Sequence, residues 1–203
     1  MVFKNEIVGL LTLDSSKKNI YNKNHCDIAL SFAFNAGVAV KNAKLHGKTK
    51  QLACIMIDID DFKKINDRLG HHTGDLVLKR LSKICSQNLD ENHILGRFGG
   101  EEFIVLLPGT SFKEAKMVGE NLRHAIEYNP LIIRKSDTIP ITSSLGVASI
   151  TPTTENPEYL FTSADKAMYQ AKSMGKNKVM SINLDLQIQK KHKEIRNTLP
   201  IEL

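Results

Sequence analysis

Asp58-Ile-Asp-Asp-Phe-Lys-Lys-Ile-Asn66 follows directly on the apolar run Leu52-Ala-Cys-Ile-Met-Ile57, and the architecture is read from that junction outward. An uninterrupted apolar run of this length fits a strand buried on both faces. Side chains alternate along a strand, so Asp58 and Asp60 project to one side just where burial ends. Downstream, 93–98 and 103–108 are two further strand-like runs separated by Gly99-Gly100, the pattern of a tight hairpin whose turn needs positive φ. Glu101 then stands at the mouth of that turn. If the hairpin lies beside the first strand, Asp58 and Glu101 can converge on one hard cation through oxygen ligands. The bare backbone at Gly99 and Gly100 lets a phosphate approach closely. An aspartate at a strand end usually only caps or turns the chain, and a Gly-Gly pair usually only bends it. Their conjunction points to a metal-bound nucleoside triphosphate.

With Gly70-His-His-Thr-Gly-Asp75 and Arg97-Phe-Gly-Gly-Glu-Glu-Phe103 added, the chain resembles the GGDEF family of diguanylate cyclases, its signature in the Glu form at Gly99 to Phe103. The resemblance continues through Ile141-Thr-Ser-Ser-Leu-Gly146 and Ala164-Asp-Lys-Ala-Met-Tyr-Gln-Ala-Lys172 to Gly175-Lys-Asn177. It implies an α/β fold, a palm-like sheet flanked by helices as in polymerases and nucleotidyl cyclases. The implied activity is Mg²⁺-dependent condensation of two GTP into cyclic di-GMP, with release of two pyrophosphates, in bacterial signalling; Mn²⁺ is a possible substitute. Each site would hold one GTP, so the implied assembly is a homodimer.

Residue by residue, the resemblance implies that Asp58, the Ile59 carbonyl and Glu101 bind the metal, and that Glu101 or Glu102 accepts the hydroxyl proton. Asn66 and Asp75 would hydrogen-bond the guanine edge, with His71 lining the same pocket. Phe62, Lys63 and the Gly99-Gly100 turn would contact phosphates, and Lys172 and Lys176 would neutralise the outer ones. The family commonly has Arg at position 176; Lys keeps the charge but loses the bidentate fork. Asp60, Arg97 and Phe103 read as structural. Many relatives carry an Arg-x-x-Asp product-inhibition site before the hairpin, and here those positions are Asp90-Glu-Asn-His93, so that site is expected to be absent. The alternative function is a degenerate GGDEF module that binds GTP or a partner protein without catalysis.

Helical spacing is expected over 61–69 and 73–89, the second with Val77, Leu78, Leu81 and Ile84 as its buried stripe. A third helix is expected over 111–128, with Ser111 as cap and Glu114 as its capping-box partner. Further expectations are a strand over 139–150, a helix over 156–173 and a last strand over 177–182. Three units follow: 1–50, a strand over 7–13 and a long helix over 24–45 resembling the closing elements of a GAF sensor domain; 51–183, the GGDEF domain; and 184–203, a basic tail. The family's own first helix, with its Asp-x-Leu-Thr-x-Leu-x-Asn-Arg motif, is missing before Gln51 in this reading.

Composition agrees and discriminates little. The 203 residues are 41% hydrophobic and 25% charged, enough for one good core. No apolar stretch reaches the roughly 18 residues of a membrane span and no signal-peptide pattern opens the chain, so the expected location is cytoplasmic. The net charge of +6 is scattered apart from Lys190-Lys-His-Lys-Glu-Ile-Arg196, and there is no tryptophan, so nucleic acid is not an expected partner. Cys26, Cys54 and Cys85 are too widely spaced for a zinc site or a disulfide frame and read as packing residues.

Overall fold

In the computed structural model of the chain, residues 2–3, 6–7, 51–134, 137–150 and 159–184 are described. Strands β1 (Val2–Phe3) and β2 (Glu6–Ile7) pair as a short antiparallel hairpin. The readings made for 8–50 and 184–203, including the long helix, the GAF-like segment, the missing first helix and Cys26, lie outside the described residues apart from Leu184.

The expected central strand is β3 (Leu52–Ile59). It sits in the middle of a five-stranded sheet of order β4-β5-β3-β8-β9, in which β4 is Ile94–Gly99, β5 Glu102–Pro108, β8 Ser143–Ile150 and β9 Val179–Asn183. β3 runs antiparallel to both β5 and β8, and only β8 and β9 are parallel. Both faces are covered, which is why β3 is apolar almost throughout and why β8 is buried along its whole length. Ala53, Ile55, Ile57 and Ile59 pack with Val77, Leu81, Ala115 and Leu122 of one helical layer. Cys54 and Met56 pack with Leu160, Ala164 and Met168 of the other. The first layer holds α1 (Phe62–Leu69), α2 (His71–Gln87) and α3 (Phe112–Glu127), and the second is α4 (Tyr159–Ser173). Among the described residues no helix is long and apolar enough to cross a membrane.

Several local expectations hold. Val77, Leu78, Leu81 and Ile84 are buried, and α3 opens with the reciprocal capping box: Ser111 Oγ accepts from the Glu114 N–H, and Glu114 Oε2 accepts from the Ser111 N–H at 2.9 Å. Cys54 and Cys85 are free and buried, and burial pushes the Cys85 thiol up to about 12. Two expectations need correction. The second helix starts two residues early, at His71, because Gly70 (φ 84) ends α1 and starts α2 with no intervening loop. The single strand over 139–150 is two elements: Asp137–Ile139 (β7) pairs with Leu131–Arg134 (β6) in a small separate hairpin, and β8 begins at Ser143. Pro140 divides them because it has no N–H to continue the ladder.

Candidate active site

The parity of β3 builds the site. Even-numbered residues face α4, so Asp58 and Asp60 point to the α4 side beyond the end of the core. In register opposite Asp58 stands Glu102, the first residue of β5, and even-numbered positions of β5 face α4 as well. Glu101 and Gly100 form the turn between β4 and β5, one step further out. The turn is therefore Gly100-Glu101, not Gly99-Gly100. Gly99 ends β4 and pairs with Glu102, and of the two glycines only Gly100 takes positive φ (25°). Arg97 locks this turn by donating from Nε (3.0 Å) and Nη2 (2.6 Å) to the Gly100 carbonyl.

Asp58 is buried and its carboxylate meets Lys172 Nζ of α4 at 2.7 Å. Burial holds its pKa above the ordinary carboxylate value; Lys172 pulls it back down, and the charges of Glu101 and Asp60 push it up. Burial likewise raises Glu102, followed by the charge of Asp58. The neighbouring Asp61, in the left-handed region at φ 55, caps α1 by position but not by a side-chain hydrogen bond, and pairs with Lys64 and Lys176, each at 2.8 Å. That leaves the first N–H groups of α1, those of Phe62 and Lys63, without a side-chain acceptor from the cap residue. The Phe62 side chain is buried, so only its backbone can meet a ligand there.

Asn66 lies on α1 against the first turn of α2. A Cβ added to Gly74 would stand 2.0 Å from Asn66 Oδ1 and 3.2 Å from Phe62 Cζ, so only glycine permits this contact. Asn66 Oδ1 is buried with no hydrogen-bond partner. Asp75, one residue on, lines a groove of about 480 Å³ with Leu78, Lys79, Leu95, Arg97 and Phe103. His71 and Lys63 are exposed. On the α4 side, Glu102 and Lys172 line a second groove of about 570 Å³ with Ser163, Asp165 and Tyr169.

The structure thus brings Asp58, Glu102 and Lys172 together beside the Glu101 turn, sets Lys176 on Asp61, and places Asn66 and Asp75 on the α1–α2 corner. A divalent metal fits the donor chemistry. The groups available are carboxylate and carbonyl oxygens, hard ligands suited to Mg²⁺, and a cation already sits on Asp58 in the form of the Lys172 ammonium. Among the described residues no three His, Cys, Asp or Glu side chains form a ready-made cage.

Sequence reasoning quoted Thr142, Ser144 and Asn177 within motifs but gave them no role, and it passed over Arg123. Thr142 Oγ1 and Ser144 Oγ donate to Asp60 at 2.9 and 2.6 Å, and the Asn177 N–H donates to it at 3.0 Å. Asp60 is therefore bonded to neutral donors from two distant segments, in keeping with the structural reading.

Residues 20–178 match the family described as diguanylate cyclase, GGDEF domain. The chain belongs to the GGDEF family. The match starts inside the segment that sequence reading set apart as 1–50. The chain is 42% identical over 135 residues to diguanylate cyclase A of Treponema denticola, covering 65% of this chain and 35% of that protein. Among solved structures it resembles the GGDEF domain of the Pseudomonas aeruginosa protein YfiN or TpbB (TM-score 0.67, 32% identity, 75% of this chain and 94% of that one). It also resembles the active GGEEF domain of a diguanylate cyclase from Vibrio cholerae (TM-score 0.63, 31% identity, 77% and 94%). The chain spans about a third of the length of the curated relatives it matches.

Proposed function

We propose that this chain is a diguanylate cyclase: it joins two GTP molecules into cyclic di-GMP, releasing two pyrophosphates, as a homodimer. The observation that carries the reading is Asp58, a buried carboxylate opposite Glu102 and beside the Glu101 turn, balanced by the Lys172 ammonium at 2.7 Å. A buried acid with one removable cationic partner is arranged to exchange that partner for another cation.

Asp58, the Ile59 carbonyl and Glu101 hold Mg²⁺, or Mn²⁺ in its place. When bound, the metal neutralises charge developing on the phosphate oxygens. The guanine edge is read by Asn66 and Asp75, with His71 at the rim. Asn66 Oδ1, buried and unpartnered, supports this, because a donor on the base would satisfy it and a purine without that donor would leave it orphaned. The uncapped N–H groups of Phe62 and Lys63 and the backbone of Gly99-Gly100 take phosphate oxygens, as helix starts and bare turns do. Lys172 and Lys176 turn from Asp58 and Asp61 to the outer phosphates.

In each half-reaction the 3′-oxygen of one GTP bonds to the α-phosphorus of the other, the bond to the β-phosphate bridge breaks, and pyrophosphate leaves. The hydroxyl proton passes to Glu101 or Glu102; burial raises the pKa of Glu102, which strengthens it as a base. One site carries one GTP, so two subunits face each other. The expected place of work is the cytoplasm. Incubation with GTP and Mg²⁺ followed by mass spectrometry tests the reading: cyclic di-GMP is expected, and GTP binding without product would leave a non-catalytic module.

A further inference from the structure

Three consecutive residues after α4 lie in the left-handed region: Gly175 (φ 107), Lys176 (φ 62) and Asn177 (φ 44). Glycine adopts that conformation freely and asparagine tolerates it, but lysine does not, so the surroundings must impose it. They do so at Asn177, which is held by three residues from two elements. Its N–H donates to Asp60 Oδ2 beyond the end of β3 (3.0 Å). Its Nδ2 donates to Glu127 Oε1 (2.7 Å) at the end of α3. Its Oδ1 accepts from Arg123 Nη1 (3.1 Å), and Arg123 is itself fixed by Glu120 and Glu127, both at 3.0 Å. Asp60 is in turn anchored through its own N–H to the Thr142 carbonyl (2.9 Å) and by the Thr142 and Ser144 hydroxyls. The result is a half-buried clamp running from β3 through the 175–177 loop to α3. Lys176 is the residue on that loop that reaches the site, its Nζ 2.8 Å from Asp61.

We propose that Asp60 and Asn177 are positioning residues for the phosphate-binding lysine: their bonds hold the 175–177 loop in its left-handed path so that Lys176 faces the outer phosphates of the nucleotide. This rests on the function proposed above in taking a nucleoside triphosphate as the ligand and Lys176 as one of its phosphate contacts. Neither residue touches the substrate. The clamp acts through Lys176 and leaves the guanine-reading corner of α1 and α2 alone, so its loss weakens binding in proportion to the phosphates a ligand carries.

The test is calorimetric titration, with Mg²⁺ present, of the full chain and its Asn177→Gly variant with inorganic tripolyphosphate, GTP and GMP. Glycine keeps the left-handed backbone accessible and removes only the tethers to Arg123 and Glu127. Losing one charge-assisted phosphate contact should weaken tripolyphosphate and GTP by roughly tenfold or more while GMP stays unchanged. A role in general stability would weaken GMP equally. Asp60→Ala, which removes the acceptor of the Asn177 N–H, should show the same split. Asn177→Gly binding tripolyphosphate within twofold of the unmodified protein would overturn the inference and leave the proposed activity standing, as would an unmodified protein that takes GTP but no tripolyphosphate. Asn177-dependent tripolyphosphate binding in a protein that makes no cyclic di-GMP would refute the activity and support the clamp.

Discussion

Gly146→Ala should be among the most damaging single-methyl additions in this protein. A Cβ at Gly146 on β8 would stand 2.0 Å from the Ala164 carbonyl oxygen, 2.2 Å from the Met168 nitrogen and 2.9 Å from the Ala167 carbonyl carbon, all backbone atoms of α4. Backbone cannot rotate away, so the helix must lift by roughly 1.5 Å to restore ordinary contact distances near 3.5 Å. The face it lifts is Leu160, Ala164, Ala167, Met168 and Ala171, whose three alanines allow the close approach in the first place. Overpacking costs about 1–3 kcal/mol where side chains absorb it; with rigid backbone as the obstacle the expected loss is at least about 3 kcal/mol. For a chain of this size that corresponds to a fall in Tm of about 6–12 °C. The same displacement carries Lys172 away from Asp58, so catalytic turnover should fall in the variant that remains folded. Gly119→Ala on α3 is the internal control. Its Cβ would meet only side chains, Val147 Cγ2 at 3.1 Å and Val179 Cγ1 at 3.3 Å, and the gain in helix propensity of about 1 kcal/mol offsets the crowding, so its stability should stay within about 1 kcal/mol of the unmodified protein. Urea denaturation of both variants decides it. A Gly146→Ala protein with an unchanged midpoint, or one more stable than Gly119→Ala, would show that α4 does not rest on β8 as described.

Asp58→Asn should abolish GTP turnover and yet raise stability at neutral pH. Burial raises the folded-state pKa of Asp58 above its ordinary value, so its contribution is fully present below about pH 4 and is lost as pH rises through the folded pKa; the advantage of Asn over Asp in urea midpoint should therefore appear near pH 7 and vanish near pH 4. A variant no more stable at pH 7 than at pH 4, relative to the unmodified protein, would contradict it. GTP should bind well ahead of ATP, and Asp75→Ala should erode that preference by about tenfold as one base contact is lost; equal calorimetric affinities for the two nucleotides in the unmodified protein would refute the assignment. At Asp90 to His93 the backbone folds into a tight turn, with the His93 N–H on the Asp90 carbonyl at 3.0 Å, and the exposed Asp90 carboxylate should repel a dianionic dinucleotide. Cyclic di-GMP is therefore expected not to bind there; saturable tight binding, measured with a non-hydrolysable GTP analogue present and lost on mutating Asp90 and His93, would show otherwise.

What could be read from the sequence were features carried by neighbouring residues. The apolar run 52–57 announces a doubly covered strand, Ser111 and Glu114 announce a helix start, and the spacing of Val77, Leu78, Leu81 and Ile84 announces a buried stripe. That Asp58 and Asp60 share one side followed from strand parity alone. The features that stayed hidden depend on distant pairings or on shape. Asp60 meets partners 82, 84 and 117 residues away. The β6–β7 hairpin escaped notice because Leu131-Ile-Ile and Thr138-Ile are short and their apolar side chains are partly solvent-facing, Ile132 being 65% exposed, so no alternation with a core marks them. The turn slipped by one residue because either glycine satisfies the local rule, and only the register of Gly99 with Glu102 decides between them.

The three acids at the end of β3 look alike in sequence and differ in what answers their charge. Asp60 accepts from two hydroxyls and one backbone N–H, partners that are themselves part of the fold, so displacing them means dismantling the 142–144 and 175–177 segments. Asp61 is exposed and shares two lysines, an arrangement that water screens and that contributes little to stability. Asp58 alone combines burial with a single long, flexible cationic partner, Lys172, rooted on a different layer of the fold. Removing that ammonium leaves an uncompensated buried carboxylate, which is costly unless another cation arrives. Lys172 can leave Asp58 readily only when a metal ion takes its place, and a metal ion gains most there when it brings phosphate oxygens to which the freed lysine can turn. Ion and nucleotide should therefore bind together more tightly than either alone, a coupling set by the burial of one side chain.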